Sequence, residues 1–315
     1  MRWSWLLFCR AATTRPGRAR ATLAGALAAI VIAGSFPCLA QMGPPPEPLN
    51  LFQLIARSDL VVLVRVRDGS LKYAMVDLVE AFKGTPPALK LRIAFRDFNF
   101  TRGPGEEPIV FPAGQQEVLF LVPYKTPRRK KDVEKFKDLF TLYKGRQGRM
   151  TLPAEGPGIV LDAIRGLTGV SKLDAASQIE TLRRLLDTSN PILLEVSLTE
   201  IERLRAADAR LLPKLVSFLT SPSPALKTRA LRLIAQVFGS GHATDDEALD
   251  EARAALAAVL ERARNDSIES VRVQAVAAVA EWPKRRDVEG DLQAIAGTDR
   301  AQAVRYEAEK ALFRR

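Results

Sequence analysis

Leu226-Lys227-Thr228-Arg229-Ala230, Val271-Arg272-Val273-Gln274-Ala275 and Val304-Arg305-Tyr306-Glu307-Ala308 align without a gap on an apolar residue followed by a basic one. Eight residues after each first position stand Ile234, Val279 and Leu312. Positions 0, 4 and 8 therefore fall on one stripe of a helix, and the alanine at position 4 lets a neighbouring helix approach closely. Each segment follows a turn with helix-start residues: Ser221-Pro222, Asn265-Asp266-Ser267 and Thr298-Asp299. Each turn follows another amphipathic stretch, at about Asp208 to Leu219, Asp245 to Arg264 and Val288 to Ala296. The sequence thus predicts repeated helix pairs over about 208–239, 244–282 and 287–315.

Working backwards, Leu173 to Leu186 and Pro191 to Ala206 supply one more helix pair, suited to capping a stack whose terminal units need a polar outer face. The helical region is predicted over 171–315. Before it, Pro153, Gly156, Pro157, Gly158, Gly166 and Gly169 read as breakers, so 156–170 is expected to be a linker. Further upstream the period shortens to that of strands, near Leu60 to Arg67, Lys72 to Phe82, Leu89 to Phe95, Gln116 to Pro123 and Phe140 to Tyr143. Gly and Pro clusters separate them, and a short helix at Leu49 to Ala56 precedes them. Five or six short strands over residues 49–155 suggest a small barrel or sandwich.

The V-R-x-x-A-x-x-A-L signature resembles HEAT repeats, an armadillo-like helical family, over roughly residues 208–315. The resemblance implies an α-helical solenoid that binds other proteins. Its spacings of 45 and 33 residues, counted between the aligned positions, straddle the ~40 to 47 expected of such units; an unrelated helical bundle is the alternative. The succession Asp59-Leu-Val-Val-Leu-Val-Arg-Val66, Val79-Glu-Ala-Phe-Lys-Gly84 and Gln115-Gln-Glu-Val-Leu-Phe-Leu-Val122 resembles netrin/TIMP-like OB-fold β-domains. It lacks the disulfides of the animal members, so no inhibitory activity carries over, and any other small β-barrel remains open. The expected fold is multidomain: a small OB-like β-barrel followed by a HEAT-type solenoid.

Residues 1–40 carry the pattern of an export signal. Arg2, Arg10, Arg15, Arg18 and Arg20 precede an apolar run from Leu23 to Phe36, and Cys38-Leu39-Ala40 offers small residues before Gln41. Fourteen residues at ~1.5 Å cover ~21 Å, short of a ~30 Å hydrocarbon core, which favours cleavage after Ala40 over retention as an anchor. Phe36-Pro37 gives poor support to a lipoprotein reading of Cys38. A Pro-rich tether at 41–48 follows. Both cysteines, Cys9 and Cys38, lie in this leader, so the expected mature chain has no disulfide, thiolate nucleophile or cysteine metal site. The expected location is the periplasm or the extracellular space.

The formal charge of +11 falls to +6 when the leader's five arginines are set aside. Residues 125–149 hold ten Lys or Arg against Asp132, Glu134 and Asp138, so the helical half is close to neutral and no nucleic-acid partner is expected. Arg128, Arg129, Lys130 and Lys131 form the one conspicuous surface feature. They are either a contact for anionic lipid or cell-wall polymer, through residues 125–137, or a solvated loop between strands.

No enzymatic chemistry, cofactor or metal is expected. His242, the single histidine, sits in a Gly-rich loop, which leaves no material for a Ser-His-Asp triad or an HExxH site. Asp245, Asp246 and Glu247 fit a first helical turn better than a calcium loop. No nucleotide-binding Gly motif or G-x-S-x-G occurs. The leading expectation is an exported interaction protein. The alternatives are an enzyme on HEAT-like repeats, of DNA-alkylation glycosylase or bilin lyase type, or a β-domain that binds while the repeats support it. Export argues against DNA and phycobiliprotein substrates, the absence of Cys fits bilin attachment poorly, and Trp282 and Tyr306 are expected to pack between helices and not to stack bases.

Overall fold

A computed structural model of the chain describes residues 48–69, 73–95, 107–125, 138–240 and 249–313. Residues 48–315 make up one compact unit. Its first helix, α1 (Leu51–Arg57), is started by Asn50, whose side chain accepts the Gln53 N–H at 2.9 Å. Six strands follow: β1 (Leu60–Gly69), β2 (Tyr73–Lys83), β3 (Lys90–Ala94), β4 (Gln116–Pro123), β5 (Leu139–Leu142) and β6 (Arg149–Thr151).

The strand order β1-β2-β3-β5-β4 closes on itself because β4 also pairs antiparallel with β1, from Leu60 opposite Leu121 to Arg65 opposite Gln116. The β3–β5 pair is parallel, and β6 extends the sheet beyond β4. The result is the five-stranded mixed barrel expected of an OB-like domain. Leu60, Val62, Val64, Val76, Leu91, Ile93, Leu119 and Leu121 fill its interior. The alternate residues Val61, Leu63, Val118 and Phe120 are buried on the outside, against α1 and the helices. Burial on both faces is why β1 and β4 read as unbroken apolar runs and not as alternating ones.

The Lys83-Gly84 pair of the barrel motif has a structural duty. Lys83 Nζ donates to Ile55 O at 2.7 Å and Ala56 O at 2.9 Å, closing the carboxyl end of α1. Burial pushes the Lys83 ammonium below its ordinary pKa, opposed by the neighbouring Asp59. Gly84 turns the chain at φ +77°, where a Cβ would lie 2.4 Å from Asp59 O.

The expected linker is instead a helix, α2 (Pro157–Val170). Pro157 occupies the first helical turn, where its missing N–H costs nothing, so it starts the helix that it seemed to forbid. Val160, Ala163, Ile164 and Leu167 form a buried stripe at helical spacing. Its three glycines, at up to about 1 kcal/mol each, do not outweigh that burial. Helix α2 packs on α1 and β2, and Arg165 fixes it to the barrel by pairing with Glu80 at 2.8 Å.

Four helix pairs follow: α3 (Ala175–Arg184) with α4 (Pro191–Leu204), α5 (Leu212–Phe218) with α6 (Pro224–Gly239), α7 (Leu249–Asn265) with α8 (Glu269–Ala280), and α9 (Glu289–Thr298) with α10 (Gln302–Phe313). The second members stack in one row, α4 on α6 on α8 on α10, while α5, α7 and α9 form the other. The aligned stripe packs as expected, with Ala230, Ile234, Val271, Ala275, Val279, Val304 and Ala308 all buried. One core runs from Phe120 of the barrel through α2 to Ala308. Helix α6 is capped by Ser223, two residues beyond the expected Ser221-Pro222 start.

Candidate partner-binding face

A ladder of buried charges ties the repeat turns together. Asp266 and Asp299 stand five residues before the first stripe position of their units. Each carboxylate accepts a backbone N–H of its own turn, from Ile268 at 3.0 Å and Ala301 at 2.8 Å. Each also accepts from the preceding unit's basic residue. Lys227 Nζ lies 2.7 Å from Asp266, while Arg272 meets Asp299 through two bonds, at 2.9 and 3.1 Å. The same arginine, 3% exposed, donates to Asp266 O at 2.9 Å, and Arg305 repeats that bond to Asp299 O at 2.7 Å. Burial alone would raise both Asp carboxyls. The hydrogen bonds from Lys227 and the Ile268 N–H, and from Arg272 and the Ala301 N–H, hold them below the usual carboxylate range.

This pairing gives the repeated basic residue, one position after the start of each stripe, a structural role that joins one unit to the next. A hollow of about 520 Å³ between the α7–α8 and α9–α10 turns is bordered by the same groups. Its polar wall is already engaged: Arg272 with Asp299, Arg264 with Asp291, and Arg300 with Ser267 O at 3.2 Å. The barrel likewise neutralises the one fully buried carboxylate among its described residues. Glu117 is paired with Arg149, which also donates to Val110 O at 2.6 Å and lies over the Phe111 ring.

A groove of about 250 Å³ lies between α4 and α6. Leu194, Leu198, Ala225 and Leu226 line its apolar part, with Glu195 and Arg229 on its walls. Arg229 is held by Thr199 Oγ1 at 2.5 Å and by Glu202 at 3.5 Å. The exposed Glu195 carboxylate has no hydrogen-bond or ion-pair partner among the described residues. The groove presents an apolar seat beside an available negative charge. No sequence pattern announced it, because its walls lie about thirty residues apart and meet only through the α4–α6 packing.

Several sequence-predicted residues fall elsewhere. Arg128, Arg129, Lys130 and Lys131 lie outside the described residues, in the segment that joins β4 to β5, as do His242, Asp245, Asp246, Glu247 and the whole of 1–40. Trp282 packs between helices, edge-on to Phe238 with centroids 4.9 Å apart. Tyr306 does not: it stands 65% exposed on the outer side of α10, because position 2 of the unit points away from the stripe.

No protein-family model matches the sequence, and no curated protein matches it. About half of the chain is structurally similar to HEAT-like and armadillo repeat proteins. The complex of CpcE and CpcF of phycocyanin lyase from Nostoc sp. PCC7120 aligns at 18% identity over 48% of this chain and 89% of that one, with a TM-score of 0.38. A designed armadillo repeat protein in complex with the peptide (KR)4 aligns at 17% identity over 51% and 76%, with a TM-score of 0.37. A second designed armadillo repeat protein aligns at 17% identity over 49% and 89%, with a TM-score of 0.24. The likeness is one of helical stacking only.

Proposed function

We propose that the chain is an exported, non-enzymatic scaffold that holds another protein of the cell envelope on the α4–α6 face. The reading rests on the groove: a preformed apolar seat beside a carboxylate without a partner among the described residues, set on rigid helices. The ligand chemistry it favours is an exposed segment presenting an apolar side chain with a Lys or Arg next to it. The side chain fills the space between Leu194, Leu198 and Leu226, and the base reaches Glu195. The buried charges elsewhere in the stack are engaged in holding turns together, which leaves them poor material for acid–base chemistry. The basic, apolar and small-residue succession in residues 1–40 supports export.

A photo-crosslinking amino acid placed at Ala225 in living cells tests this, with the same group at Arg253, exposed on α7, as control. The expected result is one protein adduct at position 225 only, recovered from the envelope, on a chain beginning at Gln41. Glu195→Lys should reduce that adduct several-fold, and raised salt should weaken it in parallel. No adduct at position 225, or equal adducts at both positions, sinks the binding face. An unprocessed cytosolic chain sinks export.

A further inference from the structure

We infer that α10 is a self-association surface, on which a second copy of this chain packs by two-fold antiparallel pairing. The two outer sides of the described helical stack are packed differently. On the first, α2 and α4 are covered by α1 and the barrel within one continuous core, and Asn50 of α1 donates to the buried Glu200 of α4 at 2.6 Å. On the other, α10 buries Val304, Ala308 and Ala311 against α8 and α9 and presents its opposite side to solvent. That side runs Ala303, Tyr306, Lys310, Phe313, a 3-4-3 spacing that keeps all four on one line. Phe313 is 82% exposed and Tyr306 65%, the former the most exposed large apolar side chain among the described residues.

The line is complementary to itself when reversed. If two α10 helices lie antiparallel about a two-fold axis level with Ala308, Ala303 of each faces Phe313 of the other, and Tyr306 of each faces Lys310 of the other. The first contact sets a large ring over the one small residue of the line. The second sets a cation over a ring, and Glu307 already holds Lys310 Nζ at 3.0 Å, beside that ring's path. A parallel arrangement would oppose Phe313 to Phe313 and Lys310 to Lys310, which wastes the small residue and juxtaposes like charges. Antiparallel closure also makes a finite dimer, since an isologous contact uses the same patch on both partners. One helix pair gives a contact below the ~1,200 Å² of stable complexes, so a dissociation constant on the order of 10 to 100 µM is expected.

Analytical ultracentrifugation of the purified protein across that concentration range should show a monomer–dimer equilibrium. Phe313→Ser and Tyr306→Ser, both at exposed positions, should leave the thermal unfolding profile unchanged and each weaken association about tenfold. Geometry is read separately in a chain with Cys9 and Cys38 replaced by serine. Ala303→Cys and Phe313→Cys chains should cross-link through a disulfide when mixed and at least several-fold less when either is alone. A protein monomeric throughout the range overturns the inference. So does association that survives both serine variants, or cross-linking of Ala303→Cys to itself in preference to the mixture.

Discussion

Replacing Arg272 by methionine removes the centre of the charge ladder while keeping an unbranched side chain at this buried position. The structure fixes what is lost: two bonds to the Asp299 carboxylate and one to Asp266 O, all from a guanidinium that is 3% exposed. Charge-assisted bonds at about 1.5 to 3 kcal/mol each would sum to roughly 5 to 9 kcal/mol. The desolvation no longer imposed on Arg272 returns part of this, and Asp299 can relax towards water at the edge of the hollow. Breaking a buried pair by removing one partner typically costs about 3 to 5 kcal/mol, which is the expected loss here. The double variant Arg272→Met, Asp299→Asn removes the orphaned charge as well, and should recover about 1 to 3 kcal/mol of that loss. Urea unfolding supplies the total. Hydrogen exchange resolved to α9 and α10 shows whether the last pair loosens first, as a stack held by nearest-neighbour contacts requires. A loss under about 1 kcal/mol for the single variant, with unchanged exchange in α9 and α10, would refute the claim that the ladder fixes the stacking.

Two further outcomes follow from the geometry. Gly84 and Gly114 both adopt positive φ, but a Cβ at Gly114 would meet nothing within 4 Å, whereas at Gly84 it meets Asp59 O. Gly84→Ala should therefore cost at least about 2 kcal/mol and Gly114→Ala about 1, compared as urea midpoints; equal costs would dismiss the backbone clash. The carboxyls of Asp266 and Asp299 titrate below their ordinary range, so the folded chain binds these protons more weakly than the unfolded one. Their stabilisation is complete above about pH 5 and disappears as pH falls through the depressed values. The double variant Asp266→Asn, Asp299→Asn should flatten the acid limb of a stability–pH curve below about pH 4 while lowering the neutral plateau; an unchanged limb would contradict the assignment.

Much of the architecture was written in periodicity. The stripes at Leu226, Val271 and Val304 located three helix pairs, and the runs around Val62, Val76 and Val118 located the barrel strands, because burial on a regular element leaves a regular imprint. Helix α2 is masked in the sequence by glycines and a proline that read as breakers, although Val160, Ile164 and Leu167 keep helical spacing. The partners of Lys227 and Arg272 were missed because they lie 39 and 27 residues downstream. A signal was present, since Asp266 and Asp299 share one offset within their units, but only the stacking turns that offset into contact. The groove at Leu198 and the outward turn of Tyr306 depend on which helix faces which. That is decided by tertiary packing and not by local pattern.

The charge ladder also bears on how such a chain can change its length. Each rung joins a base from one unit to an acid from the next, so the units are not interchangeable bricks. Excising α7 and α8 would bring Lys227 face to face with Asp299, a short ammonium where a forked guanidinium is accommodated. Inserting a unit without its own acid and base would strand a charge on either side. Lengthening or trimming is thereby confined to moves that carry both halves of a rung, which makes the order of the units, and not only their number, an inherited property of the stack.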